Sequence, residues 1–230
     1  MQNPDTFDAH MKREREADRR AAFDFCAACH AKDIDAFRAS IHQLTELSVS
    51  GWNVAIRKVA RERPAISDEM KKVFEAFWIE ARYFPLGVGD DRALATALRL
   101  LLPPYTGPVM RLYRGTKYHE WRFRRYGFSW SANLEEADFF AQGPRQALEG
   151  GTVVMETEAP AEAIIARISY PQEFSPEERA EFIRQQPRFS EESFQQFGHE
   201  GEYIVDRQFL GPVKVARRYS QIKPAWEQGQ

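Results

Sequence analysis

The sequence predicts an α+β protein, with a helical N-terminal block over residues 1–104 packed on a mixed β-sheet over residues 105–230. Three observations predict it. Up to Leu102, apolar residues recur at helical spacings of three and four. Pro103-Pro104 then ends the last helix, because proline lacks the amide proton and clashes with the preceding turn. Beyond that break, apolar residues come in the short runs and alternations of strands.

The elements follow in order. Residues 7–28 are dense in Arg, Glu and Ala, which are good helix formers. Apolar residues are sparse there until Phe23, so the helix is expected to start in solvent. Ile34, Phe37, Ile41 and Leu44 mark one face of a second helix. Val54, Ile56, Val59 and Ala60 mark a third, closed by Pro64. Ser67 caps a fourth, which buries Met70, Val73, Phe74, Phe77 and Trp78. Pro85-Leu86-Gly87 is a break, and residues 92–102 form the last helix of the block. Strands are then expected at 109–114, 127–131, 152–157, 163–168, 203–205 and 213–216. Asn133 should cap a short helix over 134–141, with Glu135 and Glu136 where the helix dipole favours them. Short acidic helices are expected at 176–186 and 191–197.

Composition excludes several classes. The 230 residues carry 32 Lys+Arg and 34 Asp+Glu, a net charge of −2, which is not the balance of a basic nucleic-acid coat. Hydrophobic residues at 43% and aromatics at 13% exceed what disordered chains hold. No run approaches the about 18 apolar residues of a membrane span. Met1-Gln2-Asn3-Pro4-Asp5 lacks the basic start and apolar run of a signal peptide, so a cytoplasmic chain, or one exported by another route, is expected. Cys26 and Cys29 are too few for a disulfide framework. With His30 they match the short haem-attachment pattern, but they also read as small apolar residues one helical turn apart beside Phe23 and Phe25. A metal site would need further soft ligands, and the other histidines are scattered. No metal is expected.

Three pieces of the β block carry chemistry together. Leu112-Tyr113-Arg114-Gly115 places an arginine on a strand before a glycine, where backbone can approach a ligand. Phe128-Ser129-Trp130-Ser131 puts two hydroxyls on one strand face and Trp130 on the other. Glu200-Gly201-Glu202 sets two carboxylates before the apolar run Tyr203-Ile204-Val205. Each alone has an ordinary explanation: a structural ion pair, strand-end hydroxyls, solvated charges.

Taken in order and spacing, the three pieces resemble the R-S-E, or cholera-toxin-like, class of mono-ADP-ribosyltransferases. The resemblance covers roughly residues 108–219 and departs from the family at Trp130, where the middle residue of a Ser-Thr-Ser strand is Thr. It implies an ADP-ribosyltransferase core, NAD as substrate, and a helical N-terminal region flanking the NAD cleft. It also implies a bacterial or phage toxin or effector, for which an antitoxin or immunity partner is a natural expectation. The diphtheria-toxin-like class would want a histidine where Arg114 stands.

The chemistry accounts for those residue types. Cleaving the nicotinamide–ribose bond develops positive charge on the ribose, as in glycoside hydrolysis. A carboxylate bonded to the ribose 2′-hydroxyl stabilises that charge. The resemblance gives this role to Glu202, held by Ser129. Arg114 offers a planar charged fork for the pyrophosphate, and Gly115 backbone for the nicotinamide amide. Ser131 belongs to the same NAD-binding set. Phe139, Phe140 or Trp130 would stack on the nicotinamide ring. Glu200 implies an arginine acceptor, since a protonated guanidinium is a poor nucleophile without a nearby base. The loop 194–199, with Phe194 or Phe197, would recognise it.

From Arg111 to Trp130 six Arg and Lys face one Glu, interleaved with aromatic residues. Such a strip suits a nucleic-acid backbone with stacked bases, the adenine and pyrophosphate of NAD, or a hairpin with its aromatics in the core. Residues 173–202 hold eight Glu and three Arg, so the near-zero net charge is a cancellation. An acidic acceptor loop favours protein arginine over nucleic acid as acceptor. The rival readings are a non-catalytic nucleic-acid-binding module on the same fold, and a haem or metal protein.

Overall fold

A computed structural model describes residues 4–46, 49–81, 84, 88–142, 149–169, 175–177, 180 and 201–222. The chain divides into two units, residues 1–104 and 105–230.

The first unit is helical: α1 (Pro4–Ala31), α2 (Ile34–Glu46), α3 (Val49–Glu62), α4 (Asp68–Glu80) and α5 (Asp91–Leu101). The buried face of α1 begins at Asp18 and runs through Ala21, Ala22, Phe25, Cys26 and Cys29, and residues 7–17 before it are exposed or partly so, as their composition implies. Lys32, with φ of 55°, ends α1 in the left-handed conformation. Its amide donates to Cys29 and that of Asp33 to Ala28, the pattern of a Schellman stop. The Asp33 carboxylate then accepts the Ala36 amide at 3.0 Å and starts α2. Ser67 caps α4 in the expected way, accepting from the Met70 amide at 3.3 Å. The core is aromatic, with Trp52 stacked on Phe77 at 4.8 Å and Phe25 on Phe37 at 5.0 Å. The expected break at 85–87 lies outside the described residues.

The second unit holds β1 (Met110–Lys117), α6 (Tyr118–Arg122), β2 (Ser129–Ser131), α7 (Leu134–Ala141), β3 (Thr152–Ala159), β4 (Ile164–Arg167), β5 (Glu202–Val205) and β6 (Lys214–Tyr219). They form one six-stranded sheet in the order β4-β5-β2-β1-β3-β6. Every described strand pair is antiparallel, so the sheet is not the mixed one expected from sequence. Alternation read along one strand carries no sign of its neighbour's direction, which explains the difference. The expected helix at 176–186 falls mostly, and that at 191–197 wholly, outside the described residues.

The sheet has a weak seam. β1 meets β3 in eight register pairs but meets β2 in one, Tyr113 with Ser131. β3 runs into β4 through a 3₁₀ turn over Ala161–Ala163. In a flat sheet four strand spacings, about 19 Å, would separate those two strands, more than a 3₁₀ turn rising about 2 Å per residue spans. The sheet therefore bends at its thinnest point, between β1 and β2. Leu112, Val153 and Met155 from one half then meet Trp130, Ile164, Tyr203 and Val205 from the other in one core.

On the opposite face α7 lies against β1 and β3. Ala137 and Ala141 are buried there with Val154. Asn133 caps α7 by accepting from the Glu135 amide at 2.8 Å. Thr152 donates to the last-turn carbonyl of Ala141 at 2.5 Å. Buried Asp138 accepts from the Tyr219 hydroxyl at 2.5 Å and pairs with Arg217. This explains why β6 extends past its predicted end. Arg217 is tied to α7, and Arg218 lies over the Tyr118 ring at 4.2 Å.

Gly115 makes the close approach of α7 possible. A Cβ there would fall 2.6 Å from the Ala141 nitrogen and closer still to the Ala137 carbonyl oxygen. Neither is a flexible side-chain tip, so helix or strand would have to move. Gly115→Ala is expected to destabilise the protein by about 3 kcal/mol, at the upper end for overpacking. Chemical denaturation checks it, and an unchanged midpoint would contradict this packing.

Candidate active site

The strand order places the three motif pieces on neighbouring strands: Arg114 on β1, Ser129 and Ser131 on β2, and Glu202 at the start of β5. About 70 residues separate Ser131 from Glu202 in sequence, yet the two are directly paired. Directly opposed residues of an antiparallel pair share a face. Ser131, Glu202 and Tyr113 therefore lie in one row on the face that α7 partly covers. Ser129 is on the same face, opposite Ile204. The register thus sets Ser131, rather than the Ser129 expected from sequence, directly across from Glu202. The Ser131 hydroxyl oxygen also accepts the Asn133 amide at 2.9 Å, tying the strand end to the cap of α7.

Arg114 belongs to the other face by alternation, with Leu112 and Thr116. It is half-buried, and its guanidinium donates to the Ser129 carbonyl across the seam between β1 and β2. Gly127 leaves the space that this guanidinium fills, since a Cβ there would sit against it. The contact observed for Arg114 is therefore a strap between two strands that otherwise share one register pair. Gly115 lies on the face of Glu202, beneath α7.

The three aromatic residues proposed for the nicotinamide ring have different fates. Trp130 is 2% exposed in the core and donates its indole N–H to the Gly127 carbonyl at 3.0 Å, so it is not available for stacking. Phe139 is 74% exposed on the outer side of α7, and Phe140 lies edge-to-face with it at 6.0 Å. Glu200, Phe194 and Phe197 lie outside the described residues.

The basic aromatic strip is not an open stacking platform. Tyr118, Trp121 and Tyr126 pack against the core and Phe128 is buried, whereas Phe123 is exposed with Arg125 over its ring at 5.8 Å. Arg111, Arg122, Arg124 and Arg125 are exposed. The strip is neither a plain hairpin nor fully solvated, because Tyr118–Arg122 coil into the short helix α6. The buried Thr116 hydroxyl bonds to Glu120 within that turn.

The second motif of the sequence resolves differently. Cys26 and Cys29 are fully buried and unbridged, and the Cys26 thiol contacts the Ala55 carbonyl of α3 at 3.7 Å. His30 turns outward and meets Glu62 at 3.1 Å. Lys58 chiefly, then His30, hold the Glu62 carboxylate down at about 2. The three residues of the haem-like pattern therefore do not converge. Among the described residues no group of three or more His, Cys, Asp and Glu is placed to hold a metal ion. Burial pushes both thiols up to about 12 from 9.0. An acid group whose folded pKa is raised stabilises the fold below its unfolded pKa and loses that contribution as pH rises. Stability is expected to fall between pH 9 and 12, and to fall less in Cys26→Ala/Cys29→Ala. Neither thiol should react with a maleimide at pH 7 until denaturant unfolds the helices. Rapid labelling of the native chain would contradict their burial.

No family model, curated protein or solved structure matches the chain. Among the described residues no helix is long and apolar enough to cross a membrane.

Proposed function

We propose that the chain is an NAD-dependent mono-ADP-ribosyltransferase, releasing nicotinamide and passing ADP-ribose to an acceptor, first of all a protein arginine. The observation that carries this reading is the pairing of Ser131 with Glu202, beside the β1 strand that bears Arg114. Distant segments converge there on the residue types that glycosidic cleavage needs, in the order in which the R-S-E family has them.

In this reading the bond between ribose C1′ and the nicotinamide nitrogen breaks, and its electron pair leaves with neutral nicotinamide. Positive charge grows on the ribose. The Glu202 carboxylate accepts the 2′-hydroxyl bond and stabilises that charge where it forms. Glu202 is half-buried, so less water competes for it than at an exposed site. The acceptor nitrogen then attacks C1′ and its proton passes to Glu200. Arg114 keeps β1 and β2 joined beside the site through its bond to the Ser129 carbonyl. Action on host or rival-cell proteins as a toxin or effector, held in check by an antitoxin or immunity partner, follows from the same family likeness.

Incubation with labelled NAD and cell lysate tests the reading, with separate aliquots digested by protease and by nuclease. Label lost to protease marks a protein acceptor, and label lost to nuclease a nucleic acid. Glu202→Ala is expected to lower nicotinamide release about 100- to 1000-fold, the scale of losing one preorganised charge-stabilising group. Glu200→Ala should lose transfer while keeping NAD cleavage. Absence of both nicotinamide release and labelling with the wild-type chain would sink the proposal.

A further inference from the structure

The row that joins Glu202 to Ser131 and Tyr113 does not stop at β1. Tyr113 is paired with Glu156 on β3, and Glu156 with Lys214 on β6. Glu202, Ser131, Tyr113, Glu156 and Lys214 thus form one line of polar side chains across five of the six strands, all on one face. Leu134, in the first turn of α7, packs with Tyr113 against the same small cluster, so the line passes the start of that helix. Glu156 is half-buried on an interior strand and has no hydrogen bond or ion pair among the described residues. The Tyr113 hydroxyl and the Lys214 ammonium have none either. Partly exposed, and without an ion pair even to Lys214 directly across from it, the Glu156 carboxylate is open to a ligand that comes over this face.

We infer that Glu156 binds the adenosine ribose of NAD and makes the site select NAD over its 2′-phosphorylated form. The inference rests on the transferase reading above. Three strand spacings, about 14 Å along the sheet, separate Glu156 from Glu202. Two riboses joined by a pyrophosphate can bridge that span, and the rotatable P–O bonds let the ligand follow the bend at the seam. Glu202 serves the 2′-hydroxyl of the nicotinamide ribose at one end. Glu156 accepts from the hydroxyls of the adenosine ribose at the other. The pyrophosphate then passes the Tyr113 hydroxyl, a donor, with exposed Arg111 on the same face of β1. A carboxylate that accepts a ribose 2′-hydroxyl repels a 2′-phosphate, the same discrimination that dinucleotide-binding folds draw from an acidic residue.

The experiment measures nicotinamide release by the full chain from NAD and from NADP, for wild type, Glu156→Gln and Glu156→Lys. Glu156→Gln should raise KM for NAD about 10- to 100-fold, the worth of a hydrogen bond to a charged group, and leave kcat within about two-fold, because the remote ribose does not change as the glycosidic bond breaks. Glu156→Lys should narrow or reverse the preference for NAD over NADP. Thermal melting establishes that each variant is folded, and a merely structural glutamate would not move the ratio of the two substrates. If wild type turns over NAD but both variants keep its KM and its preference, the assignment of Glu156 is wrong and the transferase reading stands. If wild type releases no nicotinamide from either dinucleotide, the transferase reading fails and this inference with it.

Discussion

The seating of α7 on β1 through Gly115 is the contact on which the rest of the second unit depends. Because residue 115 has no side chain, the helix backbone touches the strand, and everything α7 carries is set by that contact. Its cap, Asn133, follows two residues after Ser131, so seating the helix also fixes the end of β2. Its buried Asp138 reaches Tyr219 and Arg217 and holds the edge strand β6. Its last carbonyl is met by Thr152 at the start of β3. Four strands are thus indexed to one short helix. Neutral–neutral bonds add about 1 kcal/mol each, so the helix owes its place to the close backbone contact at the glycine more than to any single bond.

That arrangement leaves the β1–β2 seam with little of its own. One register pair and the Arg114 bond to the Ser129 carbonyl join the two halves, and the shared core around Leu112 and Trp130 does the rest. A thin join beside a row of polar side chains is where a sheet can open toward a ligand without breaking its ladders. The proposed chemistry sits at that join, with its stabilising carboxylate on one half and the arginine that straps it on the other.

Much of this was legible in the sequence, and what was not has physical reasons. The helix caps at Ser67 and Asn133 were readable because their side chains bond locally, within three residues. The boundary at Pro103-Pro104 was readable because proline acts on its own helix. The stop at Lys32 was not, since lysine carries no preference for positive φ and the Schellman bonds hold it there. The charged end of β6 was hidden because Arg217 and Arg218 find partners only in the folded unit. Helix α6 was hidden among aromatics that fit several structures. The candidate residues stand out in the sequence by type and spacing, whereas their faces do not. Alternation separates Arg114 from its neighbours on β1, but only cross-strand register shows that Glu202 meets Ser131 and that Glu156 joins their row.

β6 is one of the two edge strands of the sheet, and among the described residues no strand pairs with its outer side. An uncovered strand edge invites another chain to add itself, the first step of aggregation. Here that edge bears Lys214, Arg217 and Arg218 within five residues. Asp138 balances Arg217 from the helix side, Arg218 lies over the Tyr118 ring, and all three cations stay at this edge. Two such edges brought together would set like charges side by side. The strand that ends the sheet on this side therefore also limits its growth from that side.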